Sequence, residues 1–435
     1  MKQYILIFFL FLLTNGYSQE NVYPAPVQTQ AVVITNATVH TGNGQVLQNA
    51  SIVIDNGKIA AVGNNINAPA GAATINAQGK HVYPGLILSQ SNLGLVEISS
   101  VRASNDLTEI GDLNASIRSI VAYNTDSKVT NTLRSNGILL ANIVPQGGLI
   151  SGSSSVVQLD AWNWEDAAYK TDAGIHFYMP SFIARPRFGG FGGGAQQPQV
   201  DIVKQGLEQV DRIKSFFHEA KAYNSLTATP ESNLKFGAVK GLFDKSKKLY
   251  VHANTVKQML IALDFVKEFG FDVVIVGGAD SWQIADLLKQ NNVSVILQQT
   301  HSLPIATDDD VDQPFKTPAM LQKAGVMFAI NDDDGNTRQR NLAFNAGTAV
   351  SYGLTKEQAL QAITLNAARI LGIADRTGSI EVGKDANIII SEGDILDMKT
   401  SIITDAFIQG RKIDLTDKHK QLHERYERKY GQKPF

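Results

Sequence analysis

What most constrains this fold is an alternation. Through the middle of the chain, short apolar runs rich in β-branched residues alternate with stretches of helical pattern. Val273-Val274-Ile275-Val276 is followed by a helical stretch from Ser281 to Lys289 and then by Val293-Ser294-Val295-Ile296-Leu297. Apolar strands separated by helices are what a parallel sheet covered on both faces requires. The two ends read differently. Near the start, Ala31-Val32-Val33-Ile34, Ser51-Ile52-Val53-Ile54 and Lys58-Ile59-Ala60-Ala61-Val62 are short strands, the last two joined by the tight turn Asp55-Asn56-Gly57-Lys58. Near the end, Ala386-Asn387-Ile388-Ile389-Ile390 and the run from Ile402 to Ile408 supply two more. β strands at both ends and βα units between them predict an α/β protein. It should be a (β/α)₈ TIM barrel over 84–379, flanked by a small composite β-sandwich built from 28–83 and 380–415. One barrel with a two-ended annex accounts for residues 28–415 as a single unit.

The first residues read as an address. Met1-Lys2 precedes an apolar run from Tyr4 to Leu13, with small residues at Gly16 and Ser18. This pattern predicts a secretory signal over 1–18, removed from a periplasmic or secreted protein. A stable membrane anchor needs roughly 20 apolar residues, about twice this run. Phe188 to Pro198 is glycine-rich and reads as a flexible loop; it lacks the Gly-Lys-Ser/Thr ending of a phosphate cradle. The segment 416–435, rich in Lys, His, Glu and Arg, reads as a solvated helical tail.

Composition narrows the chemistry. There is no cysteine, which excludes disulfides, thiolate zinc sites, iron–sulfur clusters and cysteine nucleophiles. Lys and Arg total 39 against 41 Asp and Glu, so no global basic field exists to hold nucleic acid. No Gly-x-Ser-x-Gly elbow occurs to support a serine hydrolase. Any metal chemistry would draw on Asp, Glu, a modified Lys and 8 histidines. His40, His81, His176 and His218 have no partners at useful spacing and read as structural. Asp332-Asp333-Asp334-Gly335-Asn336 lacks the Glu that closes a calcium loop. Further on, Thr355 is placed to cap a helix whose Ala359, Leu360, Ile363 and Ala367 share one face, and Gly372 is placed to end the next.

Several separated motifs, in order, resemble the amidohydrolase superfamily, closest to its imidazolonepropionase-like and prolidase-like metal-dependent hydrolases. The likeness spans nearly the whole chain after the leader. Val82-Tyr83-Pro84-Gly85-Leu86-Ile87 looks like the entry into the first barrel strand. Arg340-Asn341-Leu342-Ala343-Phe344-Asn345-Ala346-Gly347, Ile363-Thr364-Leu365-Asn366-Ala367-Ala368-Arg369 and Gly378-Ser379-Ile380-Glu381-Val382-Gly383-Lys384-Asp385-Ala386-Asn387 look like the helix pair after the last strand and the return to the small β unit.

The resemblance also implies a ligand set: Asp-x-His-x-His after the first strand, His at the ends of the fifth and sixth, often a carboxylated Lys, and an Asp after the eighth. A bound metal would lower the pKa of water towards about 7 and supply the nucleophile. Here the first motif reads Leu88-Ser89-Gln90-Ser91-Asn92, so both histidines are replaced by amides. Amides are poor substitutes for imidazole at zinc. His252 holds the fifth-strand position, Gly277 is read at the sixth, and Asp333, with Asp332 as rival by one residue, at the eighth. No lysine is convincingly placed for the carbamate, since Lys240 and Lys248 suit helix or turn better. His301 follows the seventh strand, where it would face the mouth.

Two functions follow. One is an exported hydrolase of non-peptide carbon–nitrogen bonds, with His252 and Asp333 around one divalent metal (Zn, Mn or Fe), Asp333 as general base, and Gln90, Asn92 and His301 holding substrate. The other is a catalytically silent barrel that binds a small ligand or a protein partner, whether a second copy or an active paralogue. A ligand count of two, where catalytic zinc normally keeps three, sets them apart.

Overall fold

The computed structural model describes residues 22–183, 201–226, 232–333 and 335–431, with the backbone alone for Asn336 and Thr337. The expected leader at 1–18 and the glycine-rich stretch at 188–198 lie outside the described residues.

Strands from both ends of the chain enter one mixed sheet. From the N-terminal side come β1 (Val32–His40), β2 (Val46–Asp55), β3 (Lys58–Gly63), β4 (Ala73–Asn76) and β5 (His81–Pro84). The order β3-β2-β1-β5 continues into β14 (Ile388–Ser391), β15 (Ile403–Ile408) and β16 (Arg411–Lys412), with β4 paired to β1. Ile34, Ile52, Ile54, Ile388, Ile390 and Phe407 form its own core, apart from that of the barrel.

The second sheet is the barrel wall: β6 (Leu86–Ser91), β7 (Ile138–Ile143), β8 (Ile150–Gln158), β9 (Ala168–Tyr178), β10 (Lys248–Ala253), β11 (Val273–Gly277), β12 (Ser294–Leu297) and β13 (Phe328–Ile330), neighbours in that order. One feature departs from an all-parallel barrel. β8 runs antiparallel to both β7 and β9. The residues joining β7 to β8, 144–149, are too few for the dozen or so that a parallel crossover needs. They include Gly147 and Gly148 at φ +91° and +66°, which reverse the chain tightly.

The barrel closes without a backbone ladder between its first and last strands. Asn331, just past β13 and 1% exposed, presents its side-chain amide to the backbone of Gln90 on β6. Its Oδ1 accepts from the Gln90 N–H at 3.1 Å and its Nδ2 donates to the Gln90 carbonyl at 3.0 Å. One primary amide thereby substitutes for a peptide group of a neighbouring strand.

The opposite end is stoppered by the helix Leu365–Leu371, which ends at Gly372 in the left-handed conformation, as its sequence predicts. Lys170 donates to the carbonyls of Leu371 and Gly372, Lys248 to that of Arg369, and the Tyr250 hydroxyl to that of Ile370. Two ammonium groups at a helix C-terminus complement its partial negative charge. Thr355 forms the expected cap, with Gln358 completing a capping box.

Two buried carboxylates join barrel and annex. Asp385 accepts from Lys58 of the small sheet and from Tyr169 and Arg376 of the barrel side. Asp160 receives Arg134, Arg411 and the backbone N–H of Ala25. The tail is the helix Lys418–Tyr430, anchored where Asp417, its N-cap, also accepts a hydrogen bond from Ser135. No helix among the described residues is long and apolar enough to cross a membrane.

Asn331→Ala should lower stability by about 2–4 kcal/mol in urea unfolding, because it strands a buried donor and a buried acceptor of Gln90 together. Burial pushes the Asp385 carboxyl up, but the hydrogen bonds from Lys58 and Tyr169 and the charge of Arg376 outweigh it and leave its pKa below the ordinary range. A depressed carboxylate stabilises the fold above its unfolded pKa and loses that contribution as pH falls through the folded one. Asp385→Ala should therefore cost about 3 kcal/mol at pH 7. Its unfolding midpoint, read by circular dichroism, should also fall less than that of wild type between pH 5 and 3.

Candidate functional site

Parallel strands bring their C-terminal ends to one mouth, so the residues to inspect are those ending β6, β9, β10, β11 and β13. Cross-strand partners point to the same face. The register pairs Tyr178 with His252 and His252 with Val276, then Val276 with Ile296 and Ile296 with Ala329. The ring bears on the sixth strand, where Gly277 was read from sequence. The position level with His252 is Val276, whereas Gly277 pairs with Ala253. Valine offers no lone pair to a metal. Gly277 has a separate reason to be glycine: its φ is +102°, and a Cβ there would stand 2.3 Å from Asn254 Oδ1.

His252 Nε2 lies 2.9 Å from Nδ1 of His176 on β9. Each imidazole is stacked on a tyrosine of the adjacent strand, His252 on Tyr178 with centroids 3.8 Å apart and His176 on Tyr250 at 4.8 Å. Burial drives His252 down to about 3. Burial, and then repulsion from His252, takes His176 well below its ordinary value. Both rings are thus neutral at physiological pH. In a neutral pair one nitrogen donates and the other accepts, so His252 Nε2 is engaged whichever tautomer it holds. His176 Nε2, at the far side of the ring, is buried without a hydrogen-bond partner. His176 was read from sequence as structural; its link to His252 arises from the pairing of β9 with β10, which no spacing along the chain reveals.

Asp333 accepts a hydrogen bond from Gln298 Nε2 at 3.0 Å, and its charge acts on the phenol of Tyr178, so Asp333 and His252 converge on one tyrosine. Burial and then that charge push the Tyr178 phenol above its ordinary range. Asp332 is buried and receives Asn345 Nδ2 at 3.0 Å. That contact ties Asp332 to the helix Leu342–Ser351, while the charge of Asp333 acts on Tyr178. Gln90 is 9% exposed and bound through its backbone to Asn331, while Asn92 begins the turn closed by the Leu95 N–H. His301 does not line the cleft beside the mouth. Its Nε2 lies 2.6 Å from Thr348 Oγ1 and its backbone N–H is held by Asn345 Oδ1.

These donors do not fit a catalytic metal. Gln90, Asn92 and Gly277, read at positions that the resemblance gives to imidazole, offer none, Val276 level with His252 offers none either, and His252 Nε2 is taken by His176. Among the described residues no group of three His, Asp or Glu could hold an ion. Lys248 sits at the opposite end of the barrel and Lys240 in a short helix, so neither supplies a bridging carbamate.

A neutral buried histidine pair has a pH signature. Since folding depresses both pKa values, the stability it contributes is present above about 6.5 and is lost as pH falls toward about 3. In NMR of histidine-labelled protein, the His252 ring should show no titration between pH 5 and 8. A midpoint above 6 for His252 would contradict the burial described.

A sequence profile of the amidohydrolase family matches residues 222–413. The imidazolonepropionase of Thermoplasma volcanium is 23% identical over 82% of this chain and 88% of its own length. That of Mycolicibacterium smegmatis is 25% identical over 83% and 88%. Among solved structures, an amidohydrolase from Thermotoga maritima covers 88% of this chain and 99% of its own with a TM-score of 0.76 at 24% identity. An adenosine deaminase from Xanthomonas campestris with bound zinc covers 93% and 99% with a TM-score of 0.52 at 17% identity. Barrel and annex agree with the amidohydrolase fold, and the chain is similar to imidazolonepropionases over most of its length.

Proposed function

We propose that this protein is an exported amidohydrolase-superfamily barrel that binds a small molecule at its mouth and does not carry out metal-dependent hydrolysis. The observation that supports this reading is the donor set. Where relatives of this kind would be expected to converge imidazoles on a metal, this chain has Gln90 on β6 and Val276 on β11, and it spends His252 on His176. Two remaining donors are fewer than the three that a catalytic zinc normally keeps. The mouth itself is intact, lined by polar groups on rigid strand ends, which suits binding of a small ligand. Export rests on the apolar run from Tyr4 to Leu13.

The competing reading, hydrolysis of a non-peptide carbon–nitrogen bond with His252 and Asp333 around one metal, draws its support from the family. Elemental analysis separates the two. Protein purified from medium with added zinc, manganese and iron should carry substoichiometric metal, at a level unchanged in His252→Ala, and should not hydrolyse cyclic amides or N-acyl amino acids. One metal per chain that disappears in His252→Ala, together with turnover, would overturn the proposal.

A further inference from the structure

We infer that the cleft beside the barrel mouth, between the ends of β11 and β12 and the helix Gln313–Ala324, is a site for a small aliphatic amine, with its ammonium at Asp309. This deepens the small-molecule reading above and rests on it. The cleft has a volume of about 110 Å³. A cavity of about 150 Å³ accepts benzene, so this one suits a body of roughly four to six carbon atoms. Leu297, Pro304, Ile305 and Pro314 supply apolar walls. Gly277 lies at its base, where the backbone conformation and Asn254 exclude a side chain.

The polar lining defines the other end of the ligand. Of the described residues that line the cleft, Asp309 alone is ionisable, and no Lys, Arg or His is among them. The hydroxyls of Ser302 and Thr317 already donate to the carbonyls of Gln299 and Gln313. An amide N–H of Gln298 goes to Asp333, and one of Gln313 to Thr317. Unmet acceptors remain as well. Gln299 Oε1 is buried with no hydrogen-bond partner, and so is Oδ1 of the nearby Asp280. Asp309 has no ion-pair partner among the described residues, and Lys316 of the helix that follows it is committed to Asp310 and Asp312. An apolar enclosure with one carboxylate and an unmet acceptor recognises a cation with N–H groups. It discriminates against a carboxylate or phosphate, which would meet no positive charge. Burial, together with the charge of Asp309, already holds the Asp280 carboxyl above its ordinary range, so a bound ammonium also relieves repulsion between the two acids.

Calorimetric titration of the full chain at pH 7.5 with cyclopentylamine, cyclopentanol and cyclopentanecarboxylate tests this. The amine should bind at least about tenfold more tightly than the alcohol, and the carboxylate should not bind. Asp309→Asn should reduce the amine to the level of the alcohol, and Ala279→Phe, which fills the cleft, should abolish both. Thermal melts without ligand establish that each variant is folded, with Ala279→Val as the milder substitution if the larger is not. Equal binding of amine and alcohol, no binding of any probe, or an amine affinity untouched by Asp309→Asn or Ala279→Phe would overturn the inference. Metal content and the His252→Ala control report separately on the proposed function, so the two can fail independently.

Discussion

The closure of the barrel through Asn331 is the constraint on which the mouth depends. β6 and β13 have no backbone ladder between them, so one side-chain amide, held by two hydrogen bonds to Gln90, fixes the first strand against the last. An amide can do this because it carries a donor and an acceptor at nearly the geometry of a peptide group. The cost of leaving those buried groups unpaired is what makes the seam specific. It also sets the positions of Gln90 and Asp333 relative to each other, since both lie within two residues of the joint. Site geometry and fold closure are here the same set of bonds.

The annex is held by a different kind of contact. Asp385 and Asp160 are buried carboxylates, each receiving several donors that come from both sides of the junction. Replacing such pairs with apolar groups is often neutral for stability, whereas removing a single partner is expensive. Their value lies in orientation: a carboxylate with three fixed donors admits one docking of the small sheet on the barrel. Because β5 leads directly into β6 through Pro84 and Gly85, that docking also fixes where the first barrel strand begins.

Most of the architecture was legible in the sequence because it rests on local signals. Apolar runs, the cap at Thr355 and the left-handed residue at Gly372 are each read within a few positions. The antiparallel β8 was not anticipated, although the Gly147-Gly148 pair and the short link around it carry the reason. The site was legible only in part. His252 and Asp333 could be placed by position along their strands. That Gly277, read at the sixth-strand end, pairs with Ala253 and leaves Val276 level with His252 is visible only in the cross-strand register. His176 was passed over for a related reason: its partner is 76 residues away and becomes a neighbour solely through strand pairing.

The same physics that disfavours a metal at this mouth gives the pair its character. A metal would reward an exposed, orientable imidazole lone pair, with second partners that raise its basicity. Here the two rings hydrogen-bond to each other, stack on tyrosines and sit in surroundings that hold them neutral, so their polar capacity is directed inward. At the far end of the barrel Lys170 and Lys248 cap a helix, while at the mouth Gln298 donates to Asp333. If the mouth binds a small molecule as proposed, the acceptors of the cleft beside it suit a neutral or cationic guest, and recognition of donors would replace activation of water.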